Sequence, residues 1–303
     1  MKRLVSLVTA LLTACALSGC ATSNPLGESS SSPSGGSAQI VVGSANFTES
    51  EILAEVYAAA LRGKGIDATT KTRIGSREVY LQALKDGSID LVPEYTGNLL
   101  QYVDPNNPAR TADEIEKALP TALGSDMAIL KPSAATDQDV YVVTKKRAEA
   151  DNLVSLRDLS GATADWTLGG PSELESRPYG PQGLKAVYNV TFKQFKAYNS
   201  QAVKIKDLQD DKIQVATFFT TDAALASDEF VQLADPEMMI LPQNLVPLTT
   251  PELAKNETAV AAINAVQAAL TTSELLALNR SVDSDHRSAA DVAKDWLTSK
   301  GLA

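Results

Sequence analysis

Residues 39–92 alternate short β-branched apolar runs with segments of helical period, and this rhythm confines the fold more than any other feature of the chain. Gln39-Ile40-Val41-Val42-Gly43 reads as a buried strand ending in glycine. Thr48 or Ser50 then caps a helix whose Ile52, Leu53, Val56, Ala59 and Ala60 share one face, and Gly63 and Gly65 close it. Residues 66–74 alternate like a strand, and Ser76 opens a second helix with Val79, Leu81 and Leu84 inward. Residues 89–92 form a third strand. Pro93 is expected to stop it, because proline cannot donate to a central ladder, and Gly97 is expected to free the backbone for a turn. The β-α-β-α-β succession predicts a mostly parallel sheet covered by helices.

A second α/β rhythm follows. Strands are expected at 127–130, 140–144, 166–168, 192–195 and 213–219, with short ones at 231–233, 239–241 and 246–248. The last fifty residues read as helices at 258–270, 273–278 and 288–297, each opened by Ser or Thr. A chain that builds one α/β unit, crosses to a second and returns gives two lobes with a cleft between them. The crossings are expected near residues 136–139 and 242–247.

The amino terminus reads as an export signal. A charged Met1-Lys2-Arg3 precedes an apolar stretch at 4–17 that is short for a membrane span, and Leu17-Ser18-Gly19-Cys20 resembles the bacterial lipobox. Residues 1–19 are thus expected to be a lipoprotein signal peptide and Cys20 the lipidated residue. The Ser/Gly/Pro-rich 20–38 reads as a flexible tether. The chain is expected on the extracytoplasmic face of the cell membrane, held there by its lipid anchor alone.

The net charge of −10 argues against nucleic acid as a partner. Both cysteines, Cys15 and Cys20, lie in the first twenty residues, so no disulfide or thiol chemistry is expected beyond them. His286 is the single histidine and sits in a polar string, a poor basis for a zinc site or a Ser-His-Asp triad. Paired carboxylates such as Glu49 and Glu51 read as caps or solvated faces. No enzyme, cofactor or metal is expected, though an exported hydrolase using carboxylates stays as the weaker alternative. Aromatic residues make up only 5% of the chain, yet Phe47, Tyr95, Tyr141 and Phe219 fall where strands run out, which suggests a lined cleft.

The strings G-S-A-N-F-T-E-S-E-I-L (43–53), D-G-S-I-D-L-V-P-E-Y-T-G-N (86–98), R-P-Y-G-P-Q-G-L (177–184) and F-F-T-T-D (218–222) resemble one family, in the same order. It is the glycine betaine/carnitine/choline-binding lipoproteins of osmoprotectant ABC importers, the ProX and OpuC type. The resemblance implies an α/β fold of the periplasmic-binding-protein type (type II), with lobe I at 39–137 plus 245–303 and lobe II at 138–244. It implies a monomer that captures a quaternary ammonium compound and delivers it to an ABC permease. Carried over by position, the family's aromatic cage falls on Tyr95, Tyr141 and Phe219. A fourth cage aromatic falls on Asn244, and a basic residue two before Phe47 falls on Ala45. Arg177 matches an arginine that holds a ligand carboxylate, Asn98 a hydrogen-bonding threonine, and Asp139 a position whose main-chain carbonyl joins the cage. The departures at Asn244 and Ala45 leave room for a different ligand, such as histidine betaine or an aromatic solute.

Overall fold

The computed structural model describes residues 39–303; Cys20 and the rest of the expected signal and tether lie outside them. All described elements belong to one compact unit, Ser37–Ala303. Its first sheet is built from β1 (Ile40–Ala45), β2 (Ala68–Gly75), β3 (Leu91–Tyr95), β4 (Ala128–Ile129) and β10 (Leu245–Thr249), in the order β2-β1-β3-β10-β4. The second holds β5 (Asp139–Thr144), β6 (Thr167–Gly170), β7 (Gln194–Ala197), β8 (Val215–Phe219) and β9 (Phe230–Leu233), in the order β7-β6-β8-β5-β9.

Each sheet is parallel through three strands and becomes antiparallel at the strand that arrives from the other lobe. β10 runs against β3 and β4, and β5 runs against β8 and β9. The chain leaves the first sheet after Ile129, joins the second at Asp139, and returns between Leu233 and Leu245. The two crossing segments run side by side: Thr136 and Asn244 form a β-bridge, Asp137 N donates to Gln243 O at 3.1 Å and Leu245 N to Ala135 O at 3.0 Å.

Helices cover both faces of each sheet. On the first, α1 (Thr48–Gly63) packs with α8 (Glu257–Ala269), α9 (Thr272–Asp283) and α10 (Ala289–Lys300) around Tyr57, Leu91, Ile263 and Trp296. The opposite face holds α2 (Arg77–Lys85), α3 (Thr96–Val103) and α4 (Ala112–Leu123) around Leu84, Leu99 and Leu119. In the second lobe, α6 (Pro181–Tyr188) covers one side around Tyr141 and Leu184, and α7 (Gln201–Gln209) the other around Leu208 and Phe218. α5 (Lys145–Asp151) was not expected, because it buries only Ala148 and carries no apolar stripe.

Three expectations are corrected. β3 does not stop at Pro93 but runs to Tyr95, with Pro93 opposite Pro247. Thr96 N donates to Asn244 O, and antiparallel pairs alternate, so 93 and 247 meet where neither strand owes the other an N–H. Gly97 has no positive φ; a Cβ there would stand 2.5 Å from Pro242 O, so the glycine is needed for close approach of the returning segment. Residues 239–241 form no strand, and Met239, Ile240 and Leu241 are buried from a loop.

Candidate functional site

A cleft of about 460 Å³ is lined by both lobes at the carboxyl ends of their parallel strands, where open α/β sheets receive ligands. Its floor is organised by Glu49. This residue sits in the first turn of α1 and is buried. Its carboxylate accepts from three distant elements: Tyr95 Oη, at the end of β3, donates to Oε1 at 2.5 Å, while Thr221 Oγ1 of the second lobe and Asn279 Nδ2 of α9 donate to Oε2 at 2.7 and 2.6 Å. Burial raises the Glu49 carboxyl above its ordinary range although these bonds oppose the shift.

Two more buried carboxylates stand close by. Asp137 accepts from Thr221 N at 3.0 Å and Thr220 Oγ1 at 3.1 Å, and burial together with neighbouring Glu49 pushes its carboxyl well up. Asp139, at the start of β5, accepts from Asn98 Nδ2 of the first lobe at 2.8 Å and is also raised by burial. Half-buried Asp222 accepts from Phe219 N at 2.9 Å and is pushed up to about 6, chiefly by loss of water.

The rings converge from both lobes. Phe47, in the loop between β1 and α1, lies 6.3 Å from Tyr95 and 5.4 Å from Phe219 between ring centroids. Phe219 ends β8, so the last contact joins the lobes.

The basic side chains of the cleft are engaged. Arg77 gives Nε and Nη2 to the oxygens of Glu94 at 2.7 and 3.0 Å, and Tyr80 Oη and Tyr95 N complete that carboxylate's shell. Arg177 gives Nη1 to Glu78 Oε1 at 2.6 Å, from the second lobe to the first. Arg73 pairs with Glu51 at 2.6 Å. Buried Lys204 gives Nζ to Thr217 O at 2.6 Å, and burial pushes its ammonium down to about 8.

Of the site residues expected from sequence, the cleft gathers Ala45, Phe47, Tyr95, Asn98, Asp139, Arg177 and Phe219. It does not gather Tyr141 or Asn244. Tyr141 shares Asp139's face of β5 but lies two residues deeper, about 7 Å into the lobe. There it is almost fully buried, and its hydroxyl donates to Tyr179 O at 2.6 Å. Asn244 belongs to the crossing: its N–H donates to Thr96 Oγ1 and its Nδ2 to Ser133 O. At Asp139 it is the side chain that reaches Asn98, and the fork of Arg177 is filled by Glu78. Sequence reasoning missed Glu49, Asp137, Thr221 and Asn279. The E-S-E string at 49–51 carried the signal, since the two glutamates alternate between the cleft and a surface pair with Arg73.

Two mixed α/β lobes around a ligand-sized cleft define a binding protein of the type II periplasmic class. The family model described as "Substrate binding domain of ABC-type glycine betaine transport system" (OpuAC) matches residues 38–299. The chain belongs to that family. It is 27% identical over 284 residues to the glycine betaine-binding protein YehZ of Escherichia coli (strain K12), covering 86% of this chain and 90% of that protein. The structure of apo YehZ from Escherichia coli superposes with a TM-score of 0.63 at 25% identity, over 88% of this chain and all of that one. A "glycine betaine/carnitine/choline ABC transporter" structure gives a TM-score of 0.69 at 21% identity, covering 87% of this chain and 99% of that one.

Proposed function

We propose that this protein is the extracytoplasmic receptor of an ABC importer, anchored through a lipid on Cys20, which captures a quaternary ammonium osmoprotectant such as glycine betaine, carnitine or choline and hands it to the permease. The lobes divide at 137/138 and 244/245, so that guest and crossing segments share the junction. The observation that carries this reading is the meeting of Phe47, Tyr95 and Phe219 above a floor of buried carboxylates. A trimethylammonium group has no N–H to donate, so hydrogen bonds cannot recognise it, whereas aromatic faces can. Each ring contributes roughly 0.5–2 kcal/mol, more when water is excluded. Asp222, held at about 6, is ionised at neutral pH and adds a negative potential that favours a cation over a neutral solute.

The cage in this reading is Phe47, Tyr95 and Phe219, with Phe47 in place of the core residue Tyr141. A guest touching rings of both lobes favours the closed form by its differential contacts. A hydrolase lacks a comparable basis: His286 is exposed in the turn between α9 and α10, at φ 54°. The test is a thermal-shift and calorimetric screen of residues 37–303 against choline, glycine betaine, carnitine and tetramethylammonium. Binding of at least one of them, lost on Phe219→Ala, supports the reading. Failure of all four rejects it.

A further inference from the structure

The arginines of the cleft are already answered by carboxylates of the chain itself. Arg177, from the second lobe, gives Nη1 and Nη2 to the two oxygens of Glu78 on α2 at 2.6 and 3.3 Å. Arg77 is forked onto Glu94. Glu78 answers the charge of Arg177 and takes its Nη1/Nη2 edge, so a ligand carboxylate must either displace Glu78 or approach the remaining Nε side beside a like charge.

A second observation is independent of the arginines. Asn279 and Thr217 line the cleft at 4% and 2% exposure, yet Asn279 Oδ1 and Thr217 Oγ1 have no hydrogen-bond partner among the described residues. The Asn279 amide is oriented by its Nδ2 bond to Glu49 Oε2; turning it over would set its oxygen against a carboxylate oxygen. Its Oδ1 can only accept, so it asks the guest for a donor hydrogen. Glycine betaine carries no such hydrogen. Choline carries one, on its hydroxyl.

We propose that Glu78 is a specificity residue: by occupying Arg177 it makes the cleft select a carboxylate-free quaternary ammonium with a hydroxyl donor, received by Asn279 Oδ1, over a betaine-type zwitterion. This rests on the quaternary ammonium reading above. Glu78 sits at the rim with 45% of its side chain exposed, so its replacement does not empty a core position.

The experiment is calorimetric titration of residues 37–303, wild type and Glu78→Gln, with choline, tetramethylammonium and glycine betaine. Wild type is expected to hold choline at least about tenfold more tightly than either of the others, the usual yield of one charged or buried hydrogen bond. Glu78→Gln frees the Arg177 fork, and glycine betaine is expected to gain about tenfold while choline does not. Wild type holding glycine betaine as tightly as choline overturns the proposal and leaves the broader reading standing. Equal losses of both ligands in Glu78→Gln also overturn it, since a residue that merely latches the lobes weakens every guest alike. Equal affinity for choline and tetramethylammonium removes the role of Asn279. If wild type takes none of the three, nor carnitine, the quaternary ammonium reading itself has failed.

Discussion

Thr221 donates its hydroxyl to Glu49 Oε2 at 2.7 Å, joining residues 172 positions apart and belonging to different lobes. The same threonine gives its N–H to Asp137 at 3.0 Å, so one short loop ties the second lobe to two carboxylates of the first lobe and the crossing. Thr221→Val keeps the shape and the backbone bond but removes one donor from a buried carboxylate. The expected cost is about 1–3 kcal/mol in urea unfolding. A shift toward a larger radius of gyration in solution scattering should accompany it, because the lost bond acts only when the lobes are together.

Tyr95 serves the floor with its hydroxyl and the cage with its ring, and two substitutions separate these roles. Tyr95→Phe keeps the ring and strips Glu49 of a donor. It should lower stability by about 1–2 kcal/mol while leaving the affinity for a quaternary ammonium within a few-fold. Tyr95→Ala should lose at least ~1 kcal/mol of that affinity as well. Calorimetry paired with unfolding of both variants checks this; equal affinity losses would show that the hydroxyl, not the π-face, meets the guest.

Arg77 and Glu94 form a bidentate pair at 9% and 0% exposure. Removing one partner leaves a charge in a site from which water is excluded. Arg77→Ala should therefore cost about 3–5 kcal/mol, whereas Arg77→Met with Glu94→Leu should recover much of it. Urea midpoints of the single and double variants decide between this and a pair of little consequence.

The architecture was legible where one periodicity governed a segment. The alternation over residues 39–92 predicts the parallel half of the first sheet, and the Ser- or Thr-opened helical segments of the last fifty residues predict α8 to α10. Pro93 misled because a proline forbids a strand only where the ladder needs its N–H, and that need alternates with register. Gly97 misled because its partner, Pro242 O, is remote in sequence. Phe47, Tyr95 and Phe219 were readable as strand-end aromatics, which a sheet of this kind turns toward its ligand. Tyr141 has the same local signature but sits two residues deeper under Tyr179. Asn279 had no readable signal at all: it reaches Glu49 from 230 positions away on an ordinary polar helix.

The buried acids also make folding and binding depend on pH, and Asp222 shows the direction. Loss of water, with Asp283 and Glu49 nearby, lifts its carboxyl from the ordinary 3.8 to about 6 against the pull of Phe219 N–H and Lys204. A raised acid favours the folded state when neutral, so this contribution is full below 3.8 and disappears as pH rises through about 6. Glu78 works in the opposite direction: the bonds from Arg177 and Ser76 overcome its partial burial and hold it at about 2, so its stabilisation is present above 4.5 and fades in stronger acid. The unliganded protein should thus melt higher near pH 5 than near pH 7.5, and Asp222→Asn should flatten that slope. A cationic guest favours the ionised carboxylate, so binding near pH 6 should release protons and tighten as pH rises. Calorimetry in buffers of different ionisation enthalpy measures the release directly; proton uptake on binding, or a release unchanged in Asp222→Asn, would remove Asp222 from the electrostatics of the site.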